Sequence, residues 1–160
     1  MKKIHGFAGL LAVFAATSAL AEIHIAERIP YQDESRVDNR IVSECTEIGR
    51  IMSESVAQNG KARKLDIVRD GAQSGDYVNI TIEGVLSAGN AFIGHAKGMS
   101  IYAEYYRDNA LVEKTTFNRG SSGGAFGVFK NSCSVLYRTA NVLGRDVAGW
   151  LAKKEAGQVQ

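Results

Sequence analysis

The sequence predicts an α+β domain: an antiparallel β-sheet of about three to five strands with two long helices packed on one face, in the order β-α-β-β-β-α. Three observations predict it. Two stretches, one from Val37 to Val56 and one from Phe129 to Trp150, carry apolar residues at spacings of three and four, the signature of a helix with one buried stripe. Between them, Val78, Ile80 and Ile82, and then Met99, Ile101, Ala103 and Tyr105, recur with period two, the signature of strands with one buried face. Each helical stripe also holds one of the chain's two cysteines.

The first 21 residues read as a signal peptide. Lys2, Lys3 and His5 make a positive start, Phe7 to Ala16 is an apolar run of h-region length, and Ala19-Leu20-Ala21 has the small-x-small pattern of a cleavage site. Cleavage is expected after Ala21, with a single domain over 22–154 and a flexible tail over 155–160. No later run has the apolar length of a membrane helix. The short basic start suggests a bacterial export signal, and so the periplasm.

The segment from Glu22 to Ile29, closed by the only proline, Pro30, reads as a short edge strand. Ser35-Arg36-Val37-Asp38 resembles a capping box with Ser35 as N-cap, and the stripe Val37, Ile41, Cys45, Ile48, Met52 and Val56 predicts one helix over about 36–59, stopped by Asn59-Gly60. Lys64 to Val68 reads as a short strand. Asp76 to Ser87 is the most regular strand of the chain. Ala88 to Gly98 reads as a glycine-punctuated excursion carrying Phe92, His95 and Lys97. A strand through Met99–Tyr105 follows, then a tight turn at Asp108-Asn109 and an antiparallel return over Leu111–Phe117. A glycine-rich turn, Arg119 to Gly127, leads into the second helix, whose stripe is Phe129, Cys133, Leu136, Ala140, Leu143, Val147 and Trp150. Lys153 and Lys154 suit its C-terminal end.

Two cysteines in an oxidising compartment allow one pairing, Cys45 with Cys133, which would link the two helices. Loss of the leader removes Lys2 and Lys3 and no acid, so 17 of the 19 basic residues face 17 acidic ones. A formally neutral chain without a dense Lys/Arg stripe argues against nucleic acid as a partner.

No motif names a reaction. With only His24 and His95 after the leader, and with the cysteines paired, no metal or other cofactor is expected. Serines such as Ser121 lack a nucleophile elbow, which argues against a hydrolase. The glycine turn with Ser121, Ser122, Gly123 and Gly124 offers backbone amides and hydroxyls to an anion, although its spacing matches no nucleotide loop. If Tyr105 faces the helices, Tyr102 and Tyr106 face the other way, as does Tyr77 on the preceding strand. Tyrosine joins apolar area to a polar tip, so such a patch suits a partner. The function these residues suggest is a non-catalytic periplasmic module that binds an envelope protein or itself through this tyrosine face. The alternative is a small-ligand, glycan or lipid binder using His95, Lys97 and the Ser121–Ser122 turn.

Overall fold

The computed structural model describes residues 21–90, 94–122 and 132–157. Among them are strands β1 (Glu22–Ile25), β2 (Asp66–Arg69), β3 (Asp76–Asn90), β4 (Gly94–Arg107) and β5 (Ala110–Ser122), and helices α1 (Asn39–Glu44), α2 (Ile48–Lys61) and α3 (Ser132–Ala156). The class is α+β, as the periodicities predict.

The sheet is mixed rather than antiparallel. Its strand order is β2-β1-β3-β4-β5. β1 runs parallel to both β2 and β3, while β3, β4 and β5 form antiparallel ladders. The parallel part follows from connectivity. The chain leaves β1, crosses through α1 and α2, and returns in β2, and a crossover of that length brings the next strand back in the same direction.

The first predicted helix is broken in two, and its cap is not Ser35. The carboxylate of Asp33 accepts from Ser35 N at 3.1 Å and starts only a short 3-10 turn over Glu34–Arg36. Asp38 caps α1, accepting from Arg40 N at 2.9 Å. An anionic acceptor suits the positive end of a helix better than a hydroxyl does. α1 then ends at Cys45, and α2 starts anew at Ile48.

The glycine-punctuated stretch from Ala88 to Gly98 is largely strand. β3 continues to Asn90, and β4 begins at Gly94, with Ser87 opposite Lys97 and Asn90 opposite Gly94. On its other side β4 pairs with β5 as far as Ala96 opposite Ser122. Ladder bonds on both flanks outweigh the weak strand preference of glycine. For the same reason Arg119 to Ser122 is strand rather than turn; the rest of the predicted glycine turn and Phe129 lie outside the described residues. Asp108 and Asn109 form the expected two-residue hairpin, both with positive φ (47° and 65°).

The helices cover one face of the sheet. Val78, Ile80, Ile82, Ile101, Ala103 and Tyr105 are buried there against Met52 and Val56 of α2 and Leu136, Leu143, Val147 and Leu151 of α3. Trp150, at the border of that layer, packs edge-on against Tyr105 and Phe117. α2 and α3 approach closely at Gly144: a Cβ there would stand 2.6 Å from both Met52 O and Ser55 Cβ. Beside it Ser55 Oγ donates to Asn141 O at 2.6 Å. Cys45 and Cys133 are disulfide-bonded, with Cα atoms 5.1 Å apart, joining the α1–α2 break to the first turn of α3. α3 runs on to Ala156, so Glu155, assigned to the tail from sequence, is helical and accepts from Tyr105 Oη at 2.6 Å and from Arg107.

Two stability predictions follow from this packing. Gly144→Ala is expected to lower unfolding free energy by roughly 1–3 kcal/mol despite the better helix propensity of alanine, because backbone and Ser55 must retreat; urea unfolding measures it. Reduction, or Cys45→Ala with Cys133→Ala, is expected to cost about 2–4 kcal/mol through loss of a closure spanning 88 residues, read as a lower melting temperature in reductant.

Candidate functional site

The alternation that buries Tyr105 turns its neighbours to the uncovered face. Reading across the strands, His24 on β1 stands opposite Tyr77 on β3, Tyr77 opposite Tyr106 on β4, and Tyr106 opposite Leu111 on β5. The next row is Asn79, Glu104 and Lys114, and the next Thr81, Tyr102 and Thr116. This outer face thus brings together Tyr77, Tyr102 and Tyr106, all half-buried, around one carboxylate.

The rings of Tyr77 and Tyr106 stack at 4.5 Å between centroids, nearly parallel. Such a cross-strand aromatic pair stiffens the face it stands on. Tyr102 Oη donates to Glu104 Oε1 at 3.0 Å, and Tyr106 Oη donates to Glu104 Oε2 at 3.2 Å. Both phenols titrate above the ordinary tyrosine value. Lost hydration at the sheet surface is the first cause, and the hydrogen bond to the Glu104 carboxylate the second. At the β1 end, His24 Nδ1 lies 3.0 Å from Asp70 Oδ1. The Ala72 amide, then His24, hold the Asp70 carboxyl below its usual range.

A groove of about 380 Å³ opens beside this cluster, bordered by Pro30, Gln32, Gln73, Asn79, Tyr102 and Glu104. Its origin is a gap in strand pairing. β1 accompanies β3 only as far as Val78, and the chain next meets β3 where Tyr31 bridges Ile82. Between these points the face above Asn79 to Thr81 is left open, and Gln73 Nε2 reaches over to Asn79 Oδ1 at 2.9 Å.

The other residues singled out from sequence do not join this face. Lys97 is in β4 on the helix-covered side, buried, with its ammonium donating to Ser87 Oγ. His95 is in β4 rather than a loop, opposite Gly89, and its side chain lies outside the described residues, as do Phe92 and the Gly123–Gly124 turn. Ser121 and Ser122 end β5, opposite Lys97 and Ala96. Sequence reasoning missed Ser87, and with it the part of Glu104 as the shared acceptor of two phenols. The signal for Glu104 was present: it lies two residues from each of the outward tyrosines on its strand, with Tyr102 and Tyr106 on either side. Among the described residues, no three His, Cys, Asp or Glu side chains cluster to hold a metal.

No family model matches the chain, and no curated protein matches it significantly. Solved structures share its fold. Protein XCC0632 from Xanthomonas campestris, of the family designated DUF330, superposes with a TM-score of 0.60 at 11% identity, over 88% of this chain and 89% of that one. An uncharacterised protein superposes with a TM-score of 0.50 at 15% identity, over 66% of this chain and 65% of that one. A dodecameric PelC variant from Paraburkholderia phytofirmans reaches only 0.48 at 13% identity, over 79% of this chain and 90% of that one, too distant a likeness to argue from. At such identities the likeness is one of fold alone.

The phenol shifts predict a pH dependence. A group whose folded-state value is raised adds stability that is complete below the unfolded value and is lost as pH rises through the folded one. Stability is therefore expected to fall as pH climbs beyond 10.0, the ordinary tyrosine value. In Glu104→Gln the phenolate absorbance of Tyr102 and Tyr106 should develop at lower pH than in wild type, while the part due to lost hydration remains. A spectrophotometric titration checks both.

Proposed function

We propose that this chain is an exported protein of the cell envelope that acts as a non-catalytic interaction module, binding an envelope protein or a second copy of itself through the outer sheet face. The observation that carries the reading is the arrangement of Tyr77, Tyr102 and Tyr106 around Glu104 on the sheet face opposite the described helices. These rings present broad apolar area in a fixed geometry, with little side-chain entropy left to lose on binding. Glu104, held between two hydroxyls, is placed to receive a cationic side chain from the partner. The polar groups of this face satisfy one another instead of converging on an open position, which favours recognition over chemistry. Export is supported by the leader pattern and by the disulfide, which belongs to an oxidising compartment.

The groove beside Glu104 supports a second reading, a binder of a small ligand, glycan or lipid. Its volume falls within the range of small-molecule sites, and it offers the Gln73, Asn79 and Glu104 side chains as polar contacts.

The test is a crosslinking pull-down from periplasm with the mature protein as bait, paired with native mass measurement. One stoichiometric protein partner, or a defined homodimer, is expected, and Tyr102→Ala/Tyr106→Ala should weaken it at least tenfold while the protein stays folded. An unchanged partner set and mass in the double variant would sink the interaction reading. A monomer that retains a small-molecule mass, displaced in Asn79→Ala, would establish the groove reading in its place.

A further inference from the structure

We propose that Lys97 anchors a second binding site, separate from the tyrosine face, which takes a small oxyanion (a phosphate or carboxylate group) on the helix-facing side of the sheet. Lys97 shares its side of β4 with Met99, Ile101, Ala103 and Tyr105, so the strand's own alternation turns it toward the apolar layer. It is 7% exposed. Among the described residues its ammonium has a single hydrogen-bond partner, the hydroxyl of Ser87, and no ion pair. The remaining stretches of the chain, 1–20, 91–93, 123–131 and 158–160, contain no Asp or Glu. The sequence therefore has no side-chain carboxylate left to offer this cation. Other partly buried cations are treated differently: Arg69 faces Glu54, and Arg107 faces Glu155 and Asp76.

A buried charge without a counter-charge is costly, and proteins retain one where something else supplies the opposite sign. The surroundings suit an oxyanion. Ser87 Oγ accepts from Lys97, which leaves its own proton to donate. Met99, buried beside it on the same face, limits water, which strengthens each charged contact.

The backbone has been bent to make this row. A register shift between Ile82 and Gly84 reverses the facing of the rest of β3. Without it Leu86 would take the covered side, and Val85 and Ser87 the open one. With it, Leu86 is 54% exposed and Ser87 meets Lys97. The same shift turns Val85 inward opposite Met99, where it packs against the core, so the covered side gives up Leu86 for Val85 and gains Ser87 beside the lysine, placed to share an anion with it.

The experiment is thermal unfolding of the mature protein against inorganic phosphate and against acetate, each beside sodium chloride of matched ionic strength. Wild type is expected to gain several degrees over chloride, and Lys97→Met, of similar length but neutral, to show no such gain. Ser87→Ala, which keeps the lysine, should need roughly tenfold more anion for the same shift. A parallel arm measures co-sedimentation with phosphatidylglycerol vesicles against phosphatidylcholine vesicles. Lys97-dependent binding to the former assigns the anion to a lipid headgroup, and a response to free anion alone assigns it to a soluble one. Should Lys97→Met fail to fold, amide shifts of Ser87, Lys97 and Met99 on phosphate titration of wild type decide the matter. The proposal is overturned if wild type shows no anion-specific gain and no vesicle binding, if Lys97→Met responds as wild type does, or if those amides stay still.

Discussion

The contact between α2 and α3 is the constraint from which the rest of the molecule follows. It is close enough that a side chain at residue 144 would have to push back Met52 O and Ser55, and Ser55 takes up a carbonyl of the facing helix at the same place. A covalent bond between Cys45 and Cys133 closes one end of it. Helices held this near each other form one continuous apolar surface, and a single sheet face suffices to bury it. α2 is seated from the other side as well. A Cβ on Gly49 would lie 2.2 Å from Ile29 O, and Ser53 Oγ donates to Ala26 O at 2.7 Å, so the chain leaving β1 is pressed onto the helix. That departure ends the pairing of β1 with β3 and opens the groove on the opposite face.

With both helices on one side, the other face is made, among the described residues, by strands. Its composition fits that position: tyrosine, threonine and asparagine in place of valine and isoleucine, with one carboxylate shared by two phenols. The edges of the sheet are less available. β2 has four residues, a short template for pairing. β5 is long, but its inward side is tied to α3 by Arg119 with Asp146, by Lys154 with Glu113, and by the Trp150 indole donating to Glu113. Charges fixed along an edge discourage an added strand. Association is thereby directed to the face.

Much of this was legible in the residues, for reasons that differ by element. The buried faces of β3 and β4 could be read because hydrophobic alternation there is uninterrupted, and from it the outward set of tyrosines follows by parity. The disulfide could be read because only one pairing exists. The parallel placement of β1 could not, since four residues carry no mark of strand direction and the outcome depends on where the intervening helices send the chain. The break at Cys45 was hidden because a helical stripe continues in phase across it, with Ile41 and Ile48 both buried. Glu155 looked like tail, since a polar residue near a terminus gives no sign of the Tyr105 hydroxyl and Arg107 that fix it.

The glycines between Gly84 and Gly98 concealed the most. Glycine is poor in strands, so a run punctuated by it reads as loop, and alternation is not counted through a loop. Once β4 is known to extend to Gly94, counting back by two from Met99 places Lys97 on the covered face without further information. The same count along β3 gives the wrong answer for Ser87 unless the bulge after Ile82 is included, and periodicity alone cannot supply a bulge. The shift turns Leu86 outward and brings Val85 and Ser87 inward, opposite Met99 and Lys97. Ser87 thereby meets a lysine that no side-chain carboxylate among the described residues neutralises, and an oxyanion held by that lysine and serine supplies the missing charge.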